Sequence, residues 1–127
     1  MDLLGQLFWL SVNVYFEARN QPYEGKKAVA HVVLNRGITR KLPIKEVIFQ
    51  SKQFSWTNID DPQEKAIKDF SIFILCARAA FDAFNENSNG NYMQGVEFYF
   101  NPSVVRPKWS KKLTKVFTIG QHEFYKK

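Results

Sequence analysis

The 127-residue chain has a single cysteine, Cys76, so no disulfide can form within it and its stability must come from packing. That lone thiol and two histidines, with no CxxC or HxxxH spacing, leave little from which to build a metal centre. Five prolines and six glycines are too few for a low-complexity linker or a fibrous repeat. A long apolar run is also missing. Residues 1–16 come nearest, but Gln6, Ser11 and Asn13 interrupt them and Glu17 follows, so the stretch is too short and too polar to span a bilayer. It begins with Asp2 instead of a basic region and has no small-residue cleavage site. The expectation is an amphipathic helix of the folded domain, in a chain made in the cytoplasm without an export signal of its own. Carboxylates are outnumbered, 12 against 18 Lys and Arg, which gives a net charge of +6. This balance suits an anionic partner such as nucleic acid, a membrane surface or a wall polymer.

What is present is a core's worth of apolar side chains: 45% hydrophobic and 16% aromatic, which excludes a disordered chain and suffices for one domain over residues 1–127. Leu3, Leu7, Leu10 and Val14, with Leu4 and Phe8 alongside, recur at helical spacing over residues 2–18. Asn20, Gln21 and Pro22 make a turn, with Pro22 at the first helical position of a second helix. Residues 27–36 are apolar nearly all round, the mark of a central, buried helix. A short helix follows Pro43. Asp61-Pro62-Gln63-Glu64 reads as an N-cap, a helix-initiating proline and a capping box. Behind it Ile67, Phe70, Ile74, Ala77, Phe81 and Phe84 predict the buried stripe of one long helix. After an Asn/Gly-rich loop at 85–95, residues 96–100 alternate like a strand. Two further strands, around 116–119 and 123–125, flank Gly120 as a hairpin. The fold class expected is α+β, predominantly helical, with a small late β-sheet.

Most carboxylates have plain roles. Asp61 and Glu64 cap a helix, while Asp69, Asp82 and Glu86 read as its solvated face. Glu17 is different: it closes an apolar helix directly after Val14-Tyr15-Phe16. A carboxyl held against aromatic rings loses hydration of its charged form, so its pKa rises toward what a general acid needs. The plainer reading is a helix-end glutamate paired with Arg19 or Lys26. Glu24 reads as a helix-start carboxylate. Asn35 and Arg36 either orient the turn near Glu17 or end a helix.

The segment YFEARNQPYEGKKAVAHVVLNR resembles the spore cortex-lytic enzyme-like family of cell-wall hydrolases. The resemblance continues through Phe49-Gln50, Gln53-Phe54-Ser55-Trp56, Phe98-Tyr99-Phe100-Asn101-Pro102 and Trp109, and ends in Ile119-Gly120-Gln121-His122-Glu123-Phe124-Tyr125. These blocks run in family order across almost the whole chain. The resemblance implies a lysozyme-like fold, akin to goose-type lysozymes and lytic transglycosylases, with Glu17 as the catalytic acid. It departs from the family at Phe16 and Asn20, where glycine is common. The missing export signal and wall-binding repeats fit a phage-type endolysin, held in the producing cell's cytoplasm until a membrane-permeabilising partner releases it to the wall.

Sugars present an apolar ring face and a rim of hydroxyls, so their clefts combine aromatic rings with amides, hydroxyls and guanidinium groups. Gln53, Ser55, Trp56, Tyr99, Asn101, Trp109 and His122 are the substrate-binding candidates, while Phe54, Phe98 and Phe100 are expected in the core. No second carboxylate has a clear claim; Asp60 and Glu97 are the loosely plausible ones. A single-acid mechanism follows, and the resemblance implies that Glu17 cleaves the β-1,4 bond between MurNAc and GlcNAc in peptidoglycan strands, as a lytic transglycosylase closing a 1,6-anhydro ring or as a muramidase using a Glu17-activated water. No cofactor or metal, no nucleic acid, no stable membrane insertion and a monomeric state are expected. Two rival readings stand beside this one. A zinc-dependent amidase would draw ligands from His31, Cys76 and His122. A nucleic-acid-binding module would use the seven basic residues of 104–127 (Arg106, Lys108, Lys111, Lys112, Lys115, Lys126, Lys127), set against Glu123 alone.

Overall fold

The computed structural model describes residues 1–50 and 54–127, and in these five α-helices lead into a three-stranded antiparallel sheet. Helix α1 (Leu3–Ala18) starts where Asp2 accepts the Gly5 N–H at 2.8 Å and ends two residues before the Gln21-Pro22 turn. Helix α2 (Tyr23–Arg40) follows, with Pro22 as its N-cap. It is the central element that its composition predicts. Ala30, Val33 and Leu34 enter one hydrophobic cluster with α1, while Ala28, Val29 and Val32 enter a second cluster with the strands. Val29, Val32 and Val33 are fully buried, each worth about 1.5–3 kcal/mol against exposure. Helix α3 (Ile44–Phe49) follows Pro43 as expected.

The long helix expected behind Asp61 is two helices, α4 (Pro62–Lys68) and α5 (Phe70–Glu86). The break falls at Asp69, whose carboxylate leaves the local backbone to accept the Tyr15 hydroxyl at 2.9 Å. The capping box is absent: Asp61 has φ of 47° and makes no side-chain cap bond. The expected buried stripe is also displaced. Ile67, Phe70, Ile74, Phe81 and Phe84 are exposed, and only Ala77 of that set packs against the core. The buried face is Phe73, Cys76, Ala80 and Ala83. Its alanines let α5 lie close to α1 and α2, a requirement of backbone approach that apolar periodicity does not report.

Strands β1 (Val96–Phe100), β2 (Thr114–Ile119) and β3 (His122–Lys126) pair in the order β1-β3-β2. The hairpin around Gly120 forms as predicted. A register shift between Val96 and Phe98 lets both Val96 and Tyr99 face the helices, which strict alternation would forbid. Tyr99 and Phe124 pack inward, ring centroids 5.6 Å apart. Phe98, Phe100 and Tyr125 take the outer face, joined there by Trp109 from the 3-10 turn Lys108–Lys112.

Candidate active site around Glu17

Glu17 occupies the last turn of α1 and is half-buried. Burial raises its pKa above the usual carboxylate range, and two groups work against that rise. The Tyr99 hydroxyl donates to Glu17 Oε1 at 2.5 Å, and the Arg36 guanidinium supplies a nearby positive charge. The negative end of the α1 dipole adds to the cost of ionising there. Tyr99 itself is held well above its ordinary pKa by burial and by the Glu17 charge, so it remains a neutral phenol able to donate. Burial thus favours the protonated carboxyl, while Tyr99 and Arg36 favour the carboxylate.

Neither expected cation pairs with Glu17. Arg19 lies over the Tyr15 and Phe16 rings, 5.1 and 5.9 Å from their centroids. Lys26 donates to the Gln21 carbonyl at 2.5 Å. The positive charge that acts on Glu17 is instead Arg36 of α2, anchored by its Nε bond to the Glu97 carbonyl at 2.8 Å and lying over Phe54 at 5.7 Å. Sequence reasoning left Arg36 between two roles; its signal was the Leu-Asn-Arg block. Asn35, beside it, donates to the Met93 and Val96 carbonyls at 2.8 and 2.9 Å, joining α2 to the start of β1.

His122 lies against Tyr99, ring centroids 5.1 Å apart, so Glu17, Tyr99 and His122 form one continuous group. His122 is buried, which lowers its pKa, and its Nδ1 has no hydrogen-bond partner among the described residues. Trp56, expected among the substrate-binding rings, is instead a core residue, 3% exposed: it stacks on Phe16 at 5.3 Å and donates Nε1–H to Asn13 at 2.9 Å. Phe16, the departure next to Glu17, is therefore wedged between helix and indole. Ser55 is exposed at the start of the 3-10 turn Ser55–Asn58, and Gln53 lies outside the described residues. Asn101 follows β1 and accepts from the Ser103 N–H and hydroxyl at 2.9 and 2.6 Å. Trp109 sits on the sheet's outer face, across the strand from Tyr99. Phe54 and Phe100 are buried as expected, while Phe98 is half-buried.

No carboxylate acts on Glu17 among the described residues. Glu97 accepts from the Thr39 hydroxyl at 3.2 Å, and Asp60 is exposed. Glu24 is 63% exposed by side chain and pairs with Lys27 at 3.5 Å, in the first turn of α2. The three zinc-ligand candidates are not gathered. His31 bonds Glu86 and Asn87, Cys76 is buried in α5 with its thiol pushed up to about 11 by burial, and His122 faces Tyr99. Among the described residues no three His, Cys, Asp or Glu side chains are placed to hold a metal.

A family model described as Cell Wall Hydrolase matches residues 20–125. Spore cortex-lytic enzymes of Bacillus cereus and Bacillus subtilis are 32% and 31% identical to the chain over 120 and 118 residues. Those alignments take in 89% and 91% of this chain but 41% and 35% of the relatives, so the chain spans well under half of their length. Two solved structures share the fold. The catalytic domain of the germination-specific lytic transglycosylase SleB from Bacillus anthracis has a TM-score of 0.68 at 30% identity, covering 95% of this chain and 93% of that one. The catalytic domain of the Bacillus cereus SleB protein has a TM-score of 0.72 at 29% identity, covering 97% and 91%. The lysozyme-like architecture implied by the sequence resemblance is the one found.

Proposed function

The chain belongs to the Cell Wall Hydrolase family, and from that premise we propose that it is a peptidoglycan-degrading glycosidase in which Glu17 alone serves as acid and then base. The observation that carries this reading is the Glu17 environment: a burial-raised carboxyl, bonded by Tyr99 and near the Arg36 charge, with no second carboxylate acting on it among the described residues. The family match begins three residues after Glu17 (20 − 17 = 3), so the assignment of the acid rests on this geometry and on the sequence resemblance.

Burial favours the protonated form of Glu17, the form that gives its proton to the oxygen bridging MurNAc and GlcNAc. As the C1–O bond breaks, the carboxylate left behind is the form that Tyr99 and Arg36 favour. It then removes the proton from the sugar's own 6-hydroxyl, whose oxygen closes on C1 to give a 1,6-anhydro ring. The proton returns to Glu17 and the cycle is complete. Acid–base catalysis supplies about 10²–10⁴ of the rate, and electrostatic stabilisation and sugar distortion supply the remainder. His122, through its contact with Tyr99, and the accessible side chains of Asn101 and Ser55 are the proposed glycan contacts.

A mass spectrum of digested, purified wall tests this. Muropeptides ending in anhydro-muramic acid, lighter by one water than hydrolytic ones, are expected; fully hydrated ends would replace the internal hydroxyl with a Glu17-activated water, and intact glycan would end the reading. The endolysin role extends the same proposal. Purified walls are cut directly, whereas intact producing cells lyse only once their membrane is opened.

A further inference from the structure

The outer face of the sheet is chemically unlike the inner one. Phe98, Phe100, Trp109 and Tyr125 form a continuous aromatic cluster there, with neighbouring centroids 5.4–5.7 Å apart. Phe100 and Tyr125 are buried beneath it, leaving Phe98 and Trp109 half-exposed. Cations accompany the cluster. Arg106 lies over Phe100 at 5.9 Å, Lys115 reaches Glu123 at 3.5 Å, and Lys108, Lys111 and Lys112 are exposed on the turn that carries Trp109. Glu123 is the single carboxylate of residues 104–127, and it is already held by Lys115 and the Tyr125 hydroxyl. The positive charge of this face is therefore unbalanced. Tyr99, at the catalytic group, points to the opposite side of β1.

Resting on the glycosidase reading above, we propose that this outer face is a second polymer-binding surface, which takes a stretch of peptidoglycan remote from the bond being cut. Half-exposed rings suit the apolar faces of sugars, and the cations suit the carboxylates of the peptide stems. A phosphate polymer alone would call for the cations without the aromatic floor. Holding an insoluble strand at a distance keeps the enzyme on its substrate between cleavages, which raises the effective concentration at the cleft.

The test uses Lys108, Lys111 and Lys112→Gln together, since none of these side chains belongs to the Glu17 group. In a Glu17→Gln background, pelleting is measured with purified wall stripped of phosphodiester polymers. Binding is expected to fall at least about tenfold, with a flatter salt dependence. In the active background, cleavage of short soluble glycan fragments is expected to stay within about twofold of the parent, because such fragments occupy only the cleft. Unchanged pelleting overturns the proposal, as does loss of cleavage on the short fragments, which would put these lysines in the cleft. Parent binding that disappears once phosphodiester polymers are stripped, or that duplex DNA competes away as well as wall fragments do, overturns the choice of occupant. Failure of the glycosidase reading looks different: pelleting would still depend on the lysines, yet the parent would cut no glycan.

Discussion

The ionisation of Glu17 bears on stability as well as on the proposed chemistry. Its folded pKa is raised by burial, so the ionised form is disfavoured in the native state relative to the unfolded chain. The stability associated with it is present below the unfolded pKa and is lost as pH rises through the folded one. Glu17→Gln should therefore melt at a higher temperature than the parent at neutral pH, with the gap closing as the solution is acidified. The same variant should lose about 10²–10⁴ in turnover. Near-parent clearing of peptidoglycan would show that Glu17 is not the acid. Glu24→Gln is the matched control. Its exposed pair with Lys27 is worth about 0–1 kcal/mol, so it should retain fold and activity. Tyr99→Phe tests the hydroxyl alone. Removing a donor that favours the carboxylate raises the Glu17 pKa further, so the alkaline limb of the pH–rate profile should move upward. An unmoved limb would mean that this hydrogen bond does not set the acid.

At the scale of elements, α5 separates apolar character from burial. Phe73 is 9% exposed and Phe81 is 40% exposed, although they lie only about two turns apart on the same helix. Phe73→Ala should cost about 3–5 kcal/mol, and Phe81→Ala well under half of that. Thermal or urea unfolding of the two variants compares them directly, and equal losses would mean that the packed face has been misplaced. The β2–β3 hairpin offers a second comparison. Gly120 has φ of 57°, and a Cβ there would meet Gln21 Oε1 at 2.3 Å and Pro22 Cδ at 2.8 Å. Gln21 Oε1 also accepts the Gln121 N–H at 2.9 Å, so the hairpin tip is locked onto the turn that follows Glu17's helix. Gly120→Ala combines a left-handed backbone with a clash, and should destabilise by more than about 1 kcal/mol. Because the tip abuts the site, activity should fall before the fold is lost.

For the whole molecule, polar groups between α2 and α5 give stability an acid limb. His31 is fully buried; Asn87 donates to its Nδ1 at 3.3 Å, so its Nε2–H faces Glu86 at 3.1 Å, and Glu86 is paired with Lys27 at 2.9 Å. Burial lowers the His31 pKa, and burial lowers that of His122 as well. Below the ordinary histidine value of about 6.5 the unfolded chain takes up protons that the native state refuses, so stability should fall as pH drops through that window. Glu86, depressed by its bonds to Lys27 and His31 despite some burial, adds a further loss at lower pH. Replacing His31 with Gln should lower stability near neutrality but flatten the first part of the acid limb. A limb of unchanged slope would assign it to other groups.

Local rules were enough for the helices that begin at recognisable boundaries and for the hairpin. Pro22 and Pro43 mark chain geometry within a few residues, and Gly120 supplies a backbone conformation that few other residues tolerate. Glu17 stood out for the same reason: three apolar or aromatic neighbours precede it in sequence, and they go wherever its helix goes. Spacing and composition could not say which side of α5 is buried, because that depends on how closely its alanines allow α1 and α2 to approach. Nor could they show that Asp69 would break the helix, since its partner Tyr15 is 54 positions away. The Glu17 group itself is assembled the same way, from Arg36 on α2 and Tyr99 on β1, the latter 82 positions distant. The bulge that turns Tyr99 inward leaves Trp109 outside with Phe98 and Phe100, so one face of the sheet meets the carboxyl and the other meets the surroundings. Sequence determines which side chains are available and how each short segment bends; only packing between distant segments decides which of them meet.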